Sequence, residues 1–339
     1  MPVMTNPRRV PRPVLDNVIR IVGMHGLGDN LHQRAIVKEL MRNRIVHLET
    51  PWPSIYHDLV GRNLKLVRKT TMLRTQAKNM QREAAKYSNA APFGVNSVRI
   101  WYRGAEVVQA GSILAAMCIN ARVRERDFRL PVPDEWKNKT MHFLHGKWTN
   151  GKPLLVYRPL VMRKEWGGCA ARNPDFDAYA EIFNAIRDQF YVVSIADLVP
   201  GVEWVVGHDV KADLELHKGE LTFETLAGLF ARASMSYASP GFATILAQAV
   251  GTPSICVFGG HENSLTVAGG ARLTPTLSID PVASCNCFSN HHACDKTIDI
   301  PRAIAAVKSF VARSLEVKQY GDDSSGACAQ DDRQLGFAF

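Results

Sequence analysis

The segment Asn17-Val-Ile-Arg-Ile-Val-Gly-Met-His-Gly-Leu-Gly-Asp-Asn30 decides the fold. A β-branched run ends in a glycine-rich turn, and residues 30–43 then place Leu31, Ala35, Leu40 and Met41 on one helical face against Arg34, Lys38 and Arg42 on the other. This is a buried strand running through a tight turn into an amphipathic helix, the first half of a βαβ unit. Outward from it the alternation continues. We expect a short strand at 45–48, a Pro-rich loop at 50–53, a basic helix over 64–86, a strand near 98–102 and an apolar helix over 111–121. A polar stretch, 131–153, reads as the linker to a second half. That half opens with a strand at 154–158 and runs through helix 176–190, strand 191–195, helix 223–233, strand 235–238, helix 242–250 and strand 253–258 to a last helix over 301–317. Strands separated by helices at this interval build parallel sheets through right-handed crossovers, so the expectation is an α/β protein of two Rossmann-like, parallel-sheet domains facing across a cleft. The boundaries expected are 1–150, 151–318 and a mobile Gly/Ser/Asp-rich tail over 319–339.

With 339 residues, 46% of them hydrophobic and 22% charged, the chain suits two globular domains and excludes a disordered or fibrous protein. The longest apolar run, 110–121, is interrupted by Ser112 and Asn120 and is too short to span a bilayer. The opening residues show no apolar signal segment, and the seven cysteines are odd in number and irregularly spaced. A cytoplasmic location with reduced thiols is therefore expected. Net charge is divided unevenly. Residues 1–150 carry 25 Lys and Arg against 11 Asp and Glu, a balance of +14, while residues 151–339 stand at −5. A basic half of this kind steers anionic partners, unless it is only a solvated surface.

In open parallel sheets ligands bind beyond the carboxyl ends of the strands, which directs attention to the βα turns. The turn Gly26-Leu27-Gly28-Asp29, with His32 one helical turn on, puts a carboxylate at the mouth of the first domain. Asp29 either accepts a proton there or caps the helix. The turn Ser239-Pro240-Gly241, followed by a helix bearing Thr244, offers a helix start and hydroxyls to a phosphate, or is an ordinary Pro/Gly turn. Arg158, Arg163, Lys164 and Arg172 cluster in a half that is otherwise acidic and suit a diphosphate leaving group. Gly260, His261 and Glu262 follow another strand end. Cys285, Cys287, His292 and Cys294 crowd thiols and imidazole into ten residues, a density that suits structural zinc or leaves a metal-free loop.

Gly28-Asp29-Asn30-Leu31-His32-Gln33 resembles the Gly-Asp-x-Leu-His-Thr opening of the ADP-heptose:lipopolysaccharide heptosyltransferase family. Residues 221–233, 237–241, 247–253 and 257–260 follow that family's order of helix, strand, donor turn, helix and Phe-Gly strand end, so that the resemblance covers roughly 17–50 and 150–315. It implies a GT-B fold and an enzyme, a glycosyltransferase that moves a sugar from a nucleotide-sugar with inversion and without a catalytic metal. It further implies Asp29 as base, Gly28 as a close-approach glycine, Gly241 in the diphosphate turn, and Lys164 with Trp166, or else Arg172, in the Lys-x-Trp region. Pro240, Gly241 and Phe242 stand where the family shows Asp or Ser, Gly, two residues and His. Two anionic acceptors remain open: a lipopolysaccharide-type glycan, or DNA with hydroxymethylated bases, which the basic half interleaved with Trp52, Tyr56, Tyr87, Trp101 and Tyr102 would suit. A non-catalytic nucleic-acid or glycan-binding protein with the same fold is the alternative of another class.

Overall fold

The computed structural model describes residues 17–88, 95–148, 150–164, 170–268, 274–289 and 293–322. The first lobe holds β1 (Val18–Val22), α1 (Leu27–Leu40), β2 (Ile45–Thr50), β3 (Leu64–Arg68), α2 (Arg74–Arg82), β4 (Asn96–Arg99), α3 (Gly104–Ala110), α4 (Ile113–Ala121) and α5 (Asp134–Leu144). Its four strands form a parallel sheet in the order β3-β2-β1-β4, with Ile21 between Leu48 and Val98.

The second lobe holds β5 (Leu154–Tyr157), β6 (Val161–Arg163), α6 (Phe176–Arg187), β7 (Tyr191–Ile195), β8 (Glu203–Val205), β9 (Leu214–Leu216) and α7 (Phe223–Arg232). It continues through β10 (Met235–Ala238), α8 (Phe242–Val250), β11 (Ser254–Val257), α9 (Ser264–Ala268), β12 (Thr276–Ile279) and α10 (Ile300–Asp322). Six strands form a second parallel sheet, β12-β11-β10-β5-β7-β9, and β6 pairs antiparallel with β8 outside it.

Strand periodicity decides which core each residue joins. On β5, Leu154 and Val156 face the interior shared with α7 and α8, whereas Leu155 and Tyr157 face the opposite layer under α6 and α10. The first of these clusters is continuous with the core of the other lobe, from Ile21 and Leu48 through Leu31 and Trp136 to Phe223 and Leu246. The lobes are thus joined by apolar packing as well as by the chain.

Several expectations change. The basic helix expected over 64–86 is strand β3 followed by α2, because Leu64 and Leu66 are buried while Lys65 between them is exposed, a period of two obscured by the basic residues. The apolar helix is preceded by α3, which ends at Gly111 (φ +84), and starts only at Ile113 because Ser112 accepts a hydrogen bond from the Ala115 amide (3.1 Å). The stretch 131–153 contains α5, whose Thr140 hydroxyl donates to the Thr225 carbonyl (2.9 Å) of α7. The last helix continues to Asp322; the tail beyond it, like His292 and Trp166, lies outside the described residues.

The α5–α7 contact depends on Gly228, where a Cβ would lie 2.5 Å from the Trp136 carbonyl oxygen. A backbone atom cannot give way as a flexible side chain can. Gly228→Ala should lower the unfolding free energy by about 1–3 kcal/mol in urea melts; an unchanged midpoint would show that the two helices do not pack there.

Candidate functional site

A cavity of about 300 Å³ lies between the lobes, at the carboxyl ends of β1, β5 and β10. Its floor is made by two helix starts. Gly28, in the first turn of α1, faces Phe242, the first residue of α8, so closely that a Cβ on Gly28 would sit 3.4 Å from the Phe242 Cα. Gly28 therefore approaches the other lobe's backbone. Neither helix carries a side-chain cap: the N-cap residues are Gly26 and Gly241, and Gly241 adopts φ +153, ψ −162, a region open to glycine. Two sets of unpaired amides and two positive dipole ends converge on one space.

The turn before α1 is held by the residues that follow it. Asn30 donates from Nδ2 to the carbonyls of Met24 (2.9 Å) and Gly26 (2.7 Å) and accepts from the Thr50 hydroxyl (2.7 Å). Gln33 accepts from the Met24 amide (2.9 Å) and donates to the Tyr56 hydroxyl (2.7 Å). With both ends anchored, Asp29 is free of capping work and projects into the cavity, where the Tyr102 hydroxyl donates to its Oδ1 (3.1 Å). Burial raises the Asp29 pKa above the ordinary carboxylate value, against the opposing effects of the Tyr102 hydrogen bond and the Arg172 charge. The Asp29 charge in turn holds the Tyr102 phenol well above its usual range, so Tyr102 stays a donor.

Cations face this carboxylate from the second lobe. Arg172 forms a bidentate pair with Glu262 (2.9 and 3.0 Å), which holds the guanidinium firmly charged. Buried Arg158 donates to the Ile195 carbonyl (2.8 Å) and to Glu203 (3.0 Å), and lies over the Phe242 ring at 5.3 Å. Arg163 reaches the same carboxylate (3.0 Å) and also lines the cavity.

The structure brings Gly28, Asp29, His32, Arg158, Arg163, Arg172, Ser239 and Gly241 to one cavity. It does not bring the others. Lys164 is exposed and does not line it. Thr244 is buried behind the turn formed by residues 239–241, its hydroxyl directed at the Ser239 carbonyl (3.3 Å) and the Cys256 sulfur (3.4 Å). Gly260 and His261 lie beneath the thiol segment: the Gly260 carbonyl accepts from Asn286 N (2.7 Å), and the His261 ring meets Phe288 at 5.5 Å. Cys285, Cys287 and Cys294 have sulfurs within 4.8 Å of one another, a set that could hold a metal ion.

Sequence reading assigned Tyr102 only to stacking, and it left the partners of Arg158, Arg163 and Arg172 unread. Trp52 and Tyr56, expected to stack on bases, are core residues at 6% and 0% exposure. Cations of the basic segment expected to meet an acceptor instead clasp the second lobe: Arg74 (3.2 Å) and Lys78 (2.7 Å) of α2 pair with Asp197, and Lys86, just beyond α2, pairs with Glu224 (2.6 Å).

With this geometry in place, the likeness to known proteins is specific. No protein-family model matches the sequence, and no curated protein matches it. Solved structures do. A glycosyl transferase family 9 protein from Veillonella parvula superposes with a TM-score of 0.55 at 12% identity, covering 88% of this chain and 98% of that one. The fold is that of the heptosyltransferases. The ADP-heptose lipopolysaccharide heptosyltransferase II of E. coli gives 0.54 at 10% identity over 88% of this chain and 99% of that one. TibC of enterotoxigenic E. coli, an iron-containing dodecameric glycosyltransferase, gives 0.56 at 14% over 88% and 77%. At such identities the heptosyltransferase fold is what is shared, the expected pair of facing parallel sheets.

His32 supplies a test of the site's burial. Desolvation pushes its pKa down from 6.5 to about 4, and among the described residues its Nδ1 has no hydrogen-bond partner. A lowered folded-state value means that the native state favours neutral imidazole. That stability is complete above pH 6.5 and is lost as pH falls toward 4, by up to about 3 kcal/mol. Equilibrium unfolding of a His32→Gln variant should accordingly show a flatter decline between pH 6.5 and 4 than the parent; parallel curves would show that His32 is protonated as readily folded as unfolded.

Proposed function

We propose that the chain is an inverting glycosyltransferase that moves a sugar from a nucleoside-diphosphate donor to a hydroxyl of an anionic glycan, with Asp29 as the general base. The observation that carries this reading is the cavity in which a desolvated carboxylate on one helix start faces an uncapped, glycine-opened helix start and three arginines, Arg158, Arg163 and Arg172, on the other lobe. Unpaired amides at a helix N-terminus take a diphosphate. Arg158, Arg163 and Arg172 then offset the charge that develops as it leaves. Asp29 takes the proton of the acceptor hydroxyl, whose oxygen attacks the anomeric carbon from the face opposite the leaving group. An elevated pKa makes Asp29 a better proton acceptor, and Tyr102, donating to one oxygen, leaves the other for the acceptor.

The names of the neighbours support a nucleotide-linked heptose or hexose as donor. For the acceptor, an anionic glycan is favoured over DNA, because Trp52 and Tyr56 are buried and α2 is occupied by inter-lobe pairs. Cytoplasmic nucleotide-sugars are the pool from which such an enzyme would draw.

The expected outcome for Asp29→Asn is a turnover lower by about 10² to 10⁴-fold with donor affinity nearly unchanged. Both are measurable, by a nucleotide-release assay and by donor-dependent thermal shift. In the parent, kcat should rise with pH through a value above the ordinary carboxylate range, since only ionised Asp29 accepts a proton. Full turnover in the Asn variant would sink the assignment.

A structural metal belongs to the same reading. Three thiolates are a soft donor set suited to zinc or iron, and TibC is described as iron-containing. The residues fit such an ion; its chemistry there would be cross-linking. Elemental analysis should find about one zinc or iron per chain, lost in a Cys285→Ser, Cys287→Ser, Cys294→Ser variant, and absence of stoichiometric metal in freshly purified protein would refute it.

A further inference from the structure

The segment bearing the first two thiols is laced to the arginine–glutamate pair beside Asp29. Cys285 contacts the Gly260 carbonyl through its sulfur (3.2 Å), Asn286 N donates to the same oxygen (2.7 Å), and Phe288 N donates to the His261 carbonyl (3.1 Å). Glu262 is the next residue. Beyond the third thiol, Lys296 Nζ donates to the carbonyls of Ala170 (3.0 Å) and Asn173 (2.6 Å), which bracket Arg172. Residues flanking the thiol cluster therefore hold both members of the Arg172–Glu262 pair.

From this lacing the chain reaches across the cleft. The Phe288 side chain lies against Gly104, where a Cβ would stand 2.5 Å from the Phe288 Cβ. Gly104 opens α3 in the first lobe, two residues after Tyr102, the donor to Asp29. Asn286 (φ +47) and Phe288 (φ +52) both adopt left-handed backbone, and among the described residues the only other non-glycine residue to do so is Arg122. Strain of this kind persists where the surroundings impose it. A cross-link through the three clustered sulfurs is such a constraint.

We infer that residues 285–289 form a metal-pinned strap between the lobes, in which Phe288, seated on Gly104, is a positioning residue that keeps Tyr102 against Asp29. This extends the transferase and metal readings above and rests on both, but its central prediction requires no turnover. Phe288→Ala should retain its metal and accelerate amide hydrogen exchange in residues 100–107. It should also reduce kcat by about 10 to 100-fold with the donor KM unchanged, because a small displacement of an aligned group affects the transition state more than binding. Phe288→Tyr should restore most of the protection and rate. Stripping the metal from the parent with a chelator should loosen the same segment, and readdition of the ion should restore it. If Phe288→Ala is poorly folded, Gly104→Ala disturbs the contact from the other lobe and should give the same local loosening with metal retained. Unaltered exchange in residues 100–107 in metal-replete Phe288→Ala and Gly104→Ala would overturn the strap. Unaltered exchange after metal removal would overturn the pin. A failed transferase assay alongside a faster-exchanging segment would instead count against the proposed reaction.

Discussion

Two helix starts brought into contact govern the rest of this structure. α1 and α8 meet where Gly28 faces Phe242, and each start carries the equivalent of roughly half a positive charge. Their approach is electrostatically unfavourable unless negative charge lies between or beside them, and the native chain supplies one carboxylate, Asp29, held by Tyr102. Arg158 and Arg163 of the second lobe line the same cavity and share Glu203. Both helix starts and the arginines line the cavity between the lobes.

What balances that repulsion is distributed over the inter-lobe contact. Apolar packing supplies most of it, through the cluster that joins α4 and α5 to α7 and α8. Around its edge Arg74 and Lys78 converge on Asp197, and Lys86 and Lys139 on Glu224. Partly exposed pairs of this kind contribute about 0–1 kcal/mol each, so they set orientation more than strength. They also account for part of the charge asymmetry between the halves of the sequence: the positive half docks on the negative one.

The site is also where the chain departs from its own stability optimum. Burial raises the Asp29 pKa and lowers that of His32, whose Nδ1 has no hydrogen-bond partner among the described residues. By contrast, fully buried Arg34 a few residues on is satisfied by Asp58 (2.8 Å at each of two nitrogens) and by the Arg129 carbonyl (2.8 Å). The two kinds of buried polar group on one helix separate a cavity-facing end from a structural one.

The sequence by itself determined the alternation of strands and helices, the two βα turns and the residues within them, because glycine freedom, caps and side-chain periodicity act over a few residues. It could therefore bring Gly26 to Asp29 together, and Ser239 to Gly241. It concealed β3 and α5, where basic and polar residues mask the period of the buried face. Only the tertiary structure decided that Tyr102 donates to a carboxylate 73 positions away and that Glu262 pairs with an arginine 90 positions away. It likewise decided that Arg158 and Arg163 share Glu203, and that Phe288 meets Gly104. These contacts join strand ends and loops that no local periodicity links: most form when one sheet brings distant strand ends side by side, and the Phe288–Gly104 contact forms only when the two lobes dock.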